Sequence, residues 1–203
     1  MRLPALLAAL GLTALASQAQ AALSPELLAR LQQGGLFLYF RHFDTEGADD
    51  ARPVIGDCST QRNLSERGRA QAQATGAALR ALKVPVGRAL SGRYCRNSES
   101  ARLLLGRVTT TAQLDNPYFR DPTAANRALT MRNLRAVLAQ PPLAGTNTVI
   151  VTHEQLLRLT TGWMLAEGEA AVLRAGQDGT FQVLGRVTPA QFQAVGRQTG
   201  QKR

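Results

Sequence analysis

Several sequence motifs of hydrolases and nucleotide-binding proteins are missing from this chain. It has no G-x-S-x-G turn around a nucleophilic serine and no G-x-x-x-x-G-K-S/T loop for a nucleotide phosphate. A cysteine-based phosphatase needs the pattern Cys-x5-Arg, but at that spacing Cys58 meets Leu64 and Cys95 meets Ala101. These absences argue against serine hydrolases, nucleotide hydrolases and cysteine-based phosphatases.

Aromatic residues and clustered positive charge are also scarce. Aromatic residues make up 5% of the chain, and the arginines behind its formal net charge of +10 are spread along it. A surface that follows and stacks on nucleic acid depends on both features, so we expect no nucleic-acid partner. The positive charge favours other anionic partners, such as phosphorylated metabolites or anionic lipid.

The amino terminus carries an apolar segment that is short for a membrane span. Residues 1–21 have one charge, at Arg2, an apolar run interrupted by Ser and Gln, and the small-x-small ending Ala19-Gln20-Ala21. This pattern is typical of a secretory signal peptide cleaved after Ala21, whereas a spanning helix, the alternative, needs about 20 apolar residues. We therefore expect a periplasmic or secreted protein without a stable membrane anchor, in which residues 22–203 form one domain.

Cys58 and Cys95 are the two cysteines of the chain. An even number of cysteines in an exported protein favours a disulfide between them, and two free thiols are the alternative. Zinc bound by both cysteines with His42 and His153 is a further alternative, although the close ligand spacings of zinc modules are missing. We expect no metal.

Strand-like and helix-like segments alternate along the chain, and this predicts a mainly parallel sheet with helices on both faces. Two strand-like segments at residues 170–176 and 180–188 flank the sequence QDG and predict a hairpin at the sheet edge. Residues 44–63 have no periodicity and predict a long loop, and residues 115–122 predict a turn. The other predicted strands are residues 36–40, 86–92, 108–114 and 147–152, and the main predicted helices are residues 24–33, 65–82, 94–106, 123–139 and 154–165.

Polar side chains follow the buried strands at the points where these strands end. Arg41 and His42 follow the first strand, Arg96 opens the helix after the second, and His153 follows the strand at residues 147–152. The carboxyl ends of parallel strands share one edge of a sheet, so neighbouring strands would bring both histidines of the chain together. Guanidinium groups pair bidentately with phosphate oxygens, so this set of residues indicates a phosphate pocket.

Four ordered segments resemble the histidine phosphatase superfamily, also called phosphoglycerate mutase-like, and in particular its small exported bacterial members: LYFRHFDT, QRNLSERGRAQA, SGRYCRNSESA and VIVTHEQLLRLTTG. The resemblance covers nearly the whole mature chain. It implies a doubly wound α/β fold and a phosphomonoester hydrolase that needs no metal or cofactor. It also implies a covalent phosphohistidine on His42, a phosphate pocket of Arg41, Arg96 and His153, and a further phosphate or substrate contact at Asn63.

A general acid should protonate the leaving oxygen of the substrate. Glu154 is the first candidate, because a carboxylate directly follows the second histidine in the acid-phosphatase and phytase branch of the superfamily. Its alternative role is that of an acidic residue favoured at a helix amino terminus. Asp115 and Asp121 lie in the connection where the mutase-like branch commonly has its acid, and Asp44 is a weaker fourth candidate.

Four residues depart from the pattern of the superfamily: Phe43, Arg93, Ser100 and Thr152. Phe43 and Arg93 are the two that could alter access or substrate choice. These departures keep open a non-catalytic alternative, an envelope protein that binds phosphorylated glycans or lipid headgroups. For an enzyme, the expected compartment suggests phosphorylated small molecules or envelope glycans as substrates, and the sequence is silent on oligomeric state.

Overall fold

The computed structural model describes residues 23–176 and 180–200, with the side chains of residues 199 and 200 left undescribed. The predicted signal peptide, residues 1–21, lies outside these ranges. Within them, no helix has both the length and the apolar character that crossing a bilayer requires.

The helices of the described residues follow the predicted ones closely. Ser24, Ser65 and Thr123 each accept a hydrogen bond from a backbone N–H of the first turn, which fixes where three of the helices begin. One predicted helix ends early, because Gly162 adopts a left-handed conformation with φ of 79°. The helices are α1 Pro25–Gln33, α2 Glu66–Ala81, α3 Cys95–Leu105, α4 Pro117–Arg120, α5 Ala124–Leu138, α6 Glu154–Thr161 and α7 Pro189–Gly200.

Within the described ranges, the strands form one six-stranded sheet and a separate two-stranded ribbon. The order in the large sheet is β5-β4-β6-β1-β7-β8, in which the first four strands are parallel and β7 and β8 add an antiparallel edge hairpin. The predicted sheet and hairpin are therefore confirmed. The strands are β1 Phe37–Arg41, β2 Thr45–Glu46, β3 Asn63–Leu64, β4 Val86–Ser91, β5 Thr109–Thr110, β6 Asn147–Thr152, β7 Ala170–Ala175 and β8 Phe181–Val187.

Two sequence predictions around this sheet are wrong. The strand expected at residues 108–114 is reduced to β5, because the Thr111 side chain accepts a hydrogen bond from the Gln113 N–H and starts a 3-10 turn at residues 112–114. The turn expected at residues 115–122 contains the short helix α4, whose first residue is Pro117 and whose cap is Asn116. In addition, β2 and β3 pair inside the long loop of residues 44–63.

Alternating side chains of β1 divide the core into two layers, as expected for a strand covered on both faces. Leu38 and Phe40 pack into one layer, which draws its helical residues from α1, α2, α3 and α7. Phe37 and Tyr39 pack into the other, with residues of α5 and α6. Helices therefore cover both faces of the sheet, and the predicted doubly wound fold is confirmed.

A buried asparagine joins three elements at the amino end of the parallel strands. The Asn147 side chain donates to the carbonyls of Leu31 at 2.7 Å and Pro85 at 2.9 Å, and its oxygen accepts from the Leu36 N–H at 3.2 Å. It thereby fixes the starts of β1, β4 and β6 relative to one another. The opposite, carboxyl ends of these strands carry the polar residues described next.

Candidate active site

Both histidines of the chain lie side by side at the carboxyl end of the sheet. His42 directly follows β1, and His153 is the N-cap of α6 directly after β6. Their ring centroids are 5.4 Å apart, with the ring planes at 80°. The parallel pairing of β1 with β6 is the reason that two residues distant in sequence come into contact.

His42 has a fixed tautomer. Its Nδ1 lies 2.9 Å from the main-chain carbonyl oxygen of Phe43. A carbonyl only accepts hydrogen bonds, so Nδ1 carries the proton and Nε2 carries the lone pair. Burial, together with the nearby guanidinium groups of Arg96, Arg41 and Arg62, lowers the pKa of His42 to about 3, although the hydrogen bond to the Phe43 carbonyl opposes this shift. His42 is therefore neutral at physiological pH, with Nε2 able to act as a nucleophile.

His153 is also held neutral. Burial lowers its pKa well below the ordinary value, and its neighbours His42 and Arg96 add to this effect. The Tyr39 hydroxyl donates to the main-chain carbonyl of His153 at 2.6 Å, and the side-chain amide of Asn97 lies 3.3 Å from its Nε2. These contacts hold the residue from both sides.

Arg96 is buried and held by the long loop, yet one of its donors has no partner. Its Nη1 and Nη2 atoms lie 2.9 and 3.2 Å from the two carboxylate oxygens of Asp49, and Nη1 also donates to the Arg62 carbonyl at 3.1 Å. The side chain is 2% exposed. Within the described part of the chain, its Nε is buried without an acceptor. Arg96 therefore brings a buried positive charge with one unsatisfied donor to the side of the histidines.

A second carboxylate, that of Glu167, lies between the remaining cations of the pocket. Its Oε1 is 3.4 Å from Arg41 Nη2, 3.6 Å from Arg62 Nη2 and 3.9 Å from His42 Nδ1. It also accepts hydrogen bonds from the N–H and hydroxyl of Thr45. Because His42 is neutral, its contact with Glu167 is not an ion pair. Glu167 instead orients the two arginines and offsets part of their charge.

A disulfide between Cys58 and Cys95 ties the long loop to the start of α3, with the two Cα atoms 5.7 Å apart. The predicted bridge is confirmed. The Gln61 side chain reinforces it by accepting a hydrogen bond from the Cys95 N–H at 2.9 Å. Because Cys95 immediately precedes Arg96, these links hold the loop against a residue of the pocket. The bridge consumes both thiols, so the zinc site considered from the sequence cannot form.

Asn63 is engaged within the loop. Its amide nitrogen donates to the carbonyls of Cys58 at 2.7 Å and Gln61 at 2.8 Å, so its contact with phosphate or substrate stays a prediction. The residue that reaches the pocket is its neighbour Arg62, which sequence reasoning missed. The available signal was a cation beside Asn63 in a segment that resembles the superfamily.

The four carboxylates considered as general acids have different surroundings. Glu154 is buried; its Oε1 lies 3.4 Å from an arginine Nε one turn further along α6, and within the described ranges its Oε2 has no partner. Asp115 accepts hydrogen bonds from the Arg93 N–H at 2.8 Å and from its Nε at 2.7 Å. Asp121 is exposed and bonds the first turn of α5, and Asp44 pairs with an arginine of α2.

The departures at Phe43, Ser100 and Thr152 have structural explanations. Phe43 is fully buried beside Phe40, so it does not line the mouth of the pocket. Its main-chain N–H donates to the Ser100 hydroxyl at 3.1 Å. A Cβ on Gly168 would come within 2.8 Å of the Phe43 ring, so the absence of a side chain there accommodates the large residue. The Thr152 hydroxyl donates to a carbonyl of the turn after β5.

Solved structures share this fold, although no protein-family model matches the sequence and a search of curated proteins finds no match. The protein histidine phosphatase SixA in complex with tungstate has a TM-score of 0.55 at 15% identity, covering 76% of this chain and 97% of that one. A putative alpha-ribazole-5'-P phosphatase from Escherichia coli has a TM-score of 0.56 at 13% identity, covering 77% and 98%. A mutant phosphoserine phosphatase from Entamoeba histolytica in complex with phosphoserine has a TM-score of 0.54 at 12% identity, covering 77% and 98%.

Proposed function

We propose that this chain, which has the histidine phosphatase fold, is an exported phosphomonoester hydrolase that works through a covalent phosphohistidine on His42. The observation that carries the proposal is the state of that residue. His42 is neutral, its lone pair is on Nε2, and three guanidinium groups act on it together with a second imidazole. This arrangement suits nucleophilic attack on a phosphoryl group.

In the first step, Nε2 of His42 attacks phosphorus in line as the bond from phosphorus to the leaving oxygen breaks. Arg41, Arg62 and Arg96 pair with the non-bridging oxygens, and His153 stabilises the charge that develops on them. A carboxylic acid donates a proton to the leaving oxygen. In the second step, water attacks phosphorus as the bond from phosphorus to Nε2 breaks, and the carboxylate formed in the first step takes a proton from the water. Inorganic phosphate departs, and the lone pair of Nε2 is restored.

The charge of the pocket residues supports an anionic substrate. Three guanidinium groups face two carboxylates, Asp49 and Glu167, so one positive charge remains while both histidines are neutral. The unpartnered Nε of Arg96 supplies a donor at the same place. A phosphate group contributes both the negative charge and the acceptor.

The function is tested by phosphate release from a generic aryl phosphate, comparing the wild type with His42→Ala. We expect release by the wild type, loss of release in the variant, and a phosphorylated histidine recovered from the wild type after rapid quenching. Equal rates would contradict the enzyme proposal. If the wild type bound phosphate without any turnover, the non-catalytic envelope protein would be the correct reading.

Substrates with different leaving groups distinguish whether Glu154 or Asp115 is the general acid. A phenolate leaves without much help from an acid, whereas an alkoxide needs a proton. If Glu154 is the acid, Glu154→Gln should therefore lose much more activity on an alkyl phosphate than on an aryl phosphate. If Asp115 is the acid, Asp115→Asn should show this difference instead. A variant that loses both activities equally has lost something other than proton donation.

Export is part of the proposal and is supported by the amino-terminal sequence. We expect the protein isolated from the periplasm or medium to begin at Ala22. Amino-terminal sequencing measures this, and a chain recovered with residues 1–21 still attached would contradict cleavage.

A further inference from the structure

A cavity of about 360 Å³ lies beside Tyr94, whose ring contacts His153, and Asp115, a candidate general acid, is among its lining residues. Its walls are largely apolar and come from the long loop, the turn before α3, the connection after β5, and α5. The apolar walls are Ile55, Tyr94, Ala112, Pro117 and Leu129. Its size lies at the lower end of the range for small-molecule pockets, roughly 300–1,000 Å³, so it suits one small organic group.

The ring of Tyr94 connects this cavity to the pocket. It lies edge-on to the His153 ring, with centroids 5.0 Å apart, and the Arg96 guanidinium lies 4.7 Å from its centre on the ring face. One side chain therefore lines the cavity and also contacts two residues of the phosphate pocket. This shared residue places the cavity beside the phosphate pocket.

The polar residues that line the cavity are Arg93, Asp115, Asn116, Arg120 and Asn133. Tyr94 is 2% exposed, and its hydroxyl is buried with no hydrogen bond to any described residue. Arg93 also lines the cavity, but its charge is offset by Asp115, which accepts hydrogen bonds from its N–H and Nε. A largely apolar cavity with a few polar groups in its walls is typical of a ligand site. Arg93, one of the four residues that depart from the superfamily pattern, thus lines this cavity.

We infer that the cavity binds the leaving group of the phosphomonoester, and that this group carries an aromatic or similarly flat, apolar ring. The inference rests on the proposed function for the phosphoryl position. The hydroxyls of a polyol or sugar that faced the apolar part of the walls would be buried without partners, which is unfavourable. A flat ring instead removes apolar surface from water and meets the Tyr94 ring in aromatic contact.

The cavity is tested with two non-hydrolysable probes, benzylphosphonate and ethylphosphonate, whose affinities are measured by calorimetry. Both present the same phosphoryl anion, and one adds a ring. We expect benzylphosphonate to bind about 10- to 100-fold more tightly, the range typical of filling an apolar pocket. Ala112→Trp should abolish this preference, because Ala112 is exposed and a large side chain there fills the cavity without disturbing the core.

Ala70→Trp is the matched control, because Ala70 is exposed on α2, on the other face of the sheet. Equal affinity of the two phosphonates for the wild type would overturn the inference. A preference that persists in Ala112→Trp would also overturn it, since the ring would then lie elsewhere. Hydrolysis of benzyl and ethyl phosphate is measured in parallel. If neither ester is hydrolysed while the phosphonate preference follows the cavity, the proposed function fails and the binding site stands.

Discussion

The two histidines should make the stability of the protein depend on pH in a window where few other groups titrate. They are the only histidines of the chain, and the structure buries both in neutral form. In the unfolded chain each has an ordinary pKa of about 6.5. As the pH falls through that value, the unfolded state gains protons that the native state does not accept. Stability is therefore lost on the acid side and does not change from this cause at higher pH.

The size of the effect follows from the depressed pKa values. The pKa of His42 is lowered to about 3 and that of His153 is also lowered strongly, so both stay unprotonated in the native protein well below neutrality. Between about pH 7 and pH 5.5, each histidine then lowers the unfolding free energy by on the order of 1 kcal/mol, or roughly 2 kcal/mol together. Carboxylates of ordinary pKa titrate mainly below this window, so the histidines dominate it.

The measurement is urea unfolding followed by circular dichroism at several pH values, in a buffer without phosphate. His42→Asn should remove about half of the pH dependence, as should His153→Asn, and the double variant should be nearly flat. Comparing slopes rather than absolute stabilities separates proton uptake from any packing change that a substitution causes. A slope that is the same in His42→Asn and the wild type would refute the assignment of a buried, neutral His42.

Three further predictions concern the loop and the sheet. Replacing Cys58 and Cys95 by serine should lower the unfolding free energy by about 4 kcal/mol, because the bridge closes a long loop with a sequence separation of 37; a loss near zero in urea unfolding would contradict this. Asp49→Asn should destabilise the empty protein by about 2 kcal/mol or more, because buried Arg96 loses its counter-charge. Added phosphate should then raise the melting temperature more in this variant than in the wild type, and equal increments would count against the pairing. Asn147→Ala should lower the unfolding free energy by about 3 kcal/mol, because three hydrogen bonds are lost, while kcat and KM stay close to wild type; a selective loss of kcat would contradict its placement far from the pocket.

The sheet and the meeting of the two histidines could be predicted because local signals determine both. Continuous apolar runs mark β1 and β6, and parallel strands place their carboxyl ends at one edge, so His42 and His153 needed only neighbouring strands to meet. The signals for the helix starts at Ser65 and Thr123 were also local, because each capping side chain and the N–H that it binds are three residues apart.

The acidic partners of the pocket could not be predicted, because long-range contacts place them. Asp49 lies in a loop without periodicity, and its position depends on the bridge to Cys95 and on its contact with Arg96. Glu167 follows the early end of α6 and reaches Thr45 from far along the chain. The core position of Phe43 was also hidden, since it depends on the missing side chain of Gly168. No local pattern reports such pairings.

The main-chain carbonyl that accepts the Nδ1 proton of His42 has a consequence for protein engineering. Where a carboxylate side chain orients a histidine, a single substitution can remove or replace that carboxylate. Here any residue at position 43 supplies the same oxygen, so a substitution at that position does not change which nitrogen of His42 carries the proton. Moving the proton from Nδ1 to Nε2 would require rebuilding the backbone after β1.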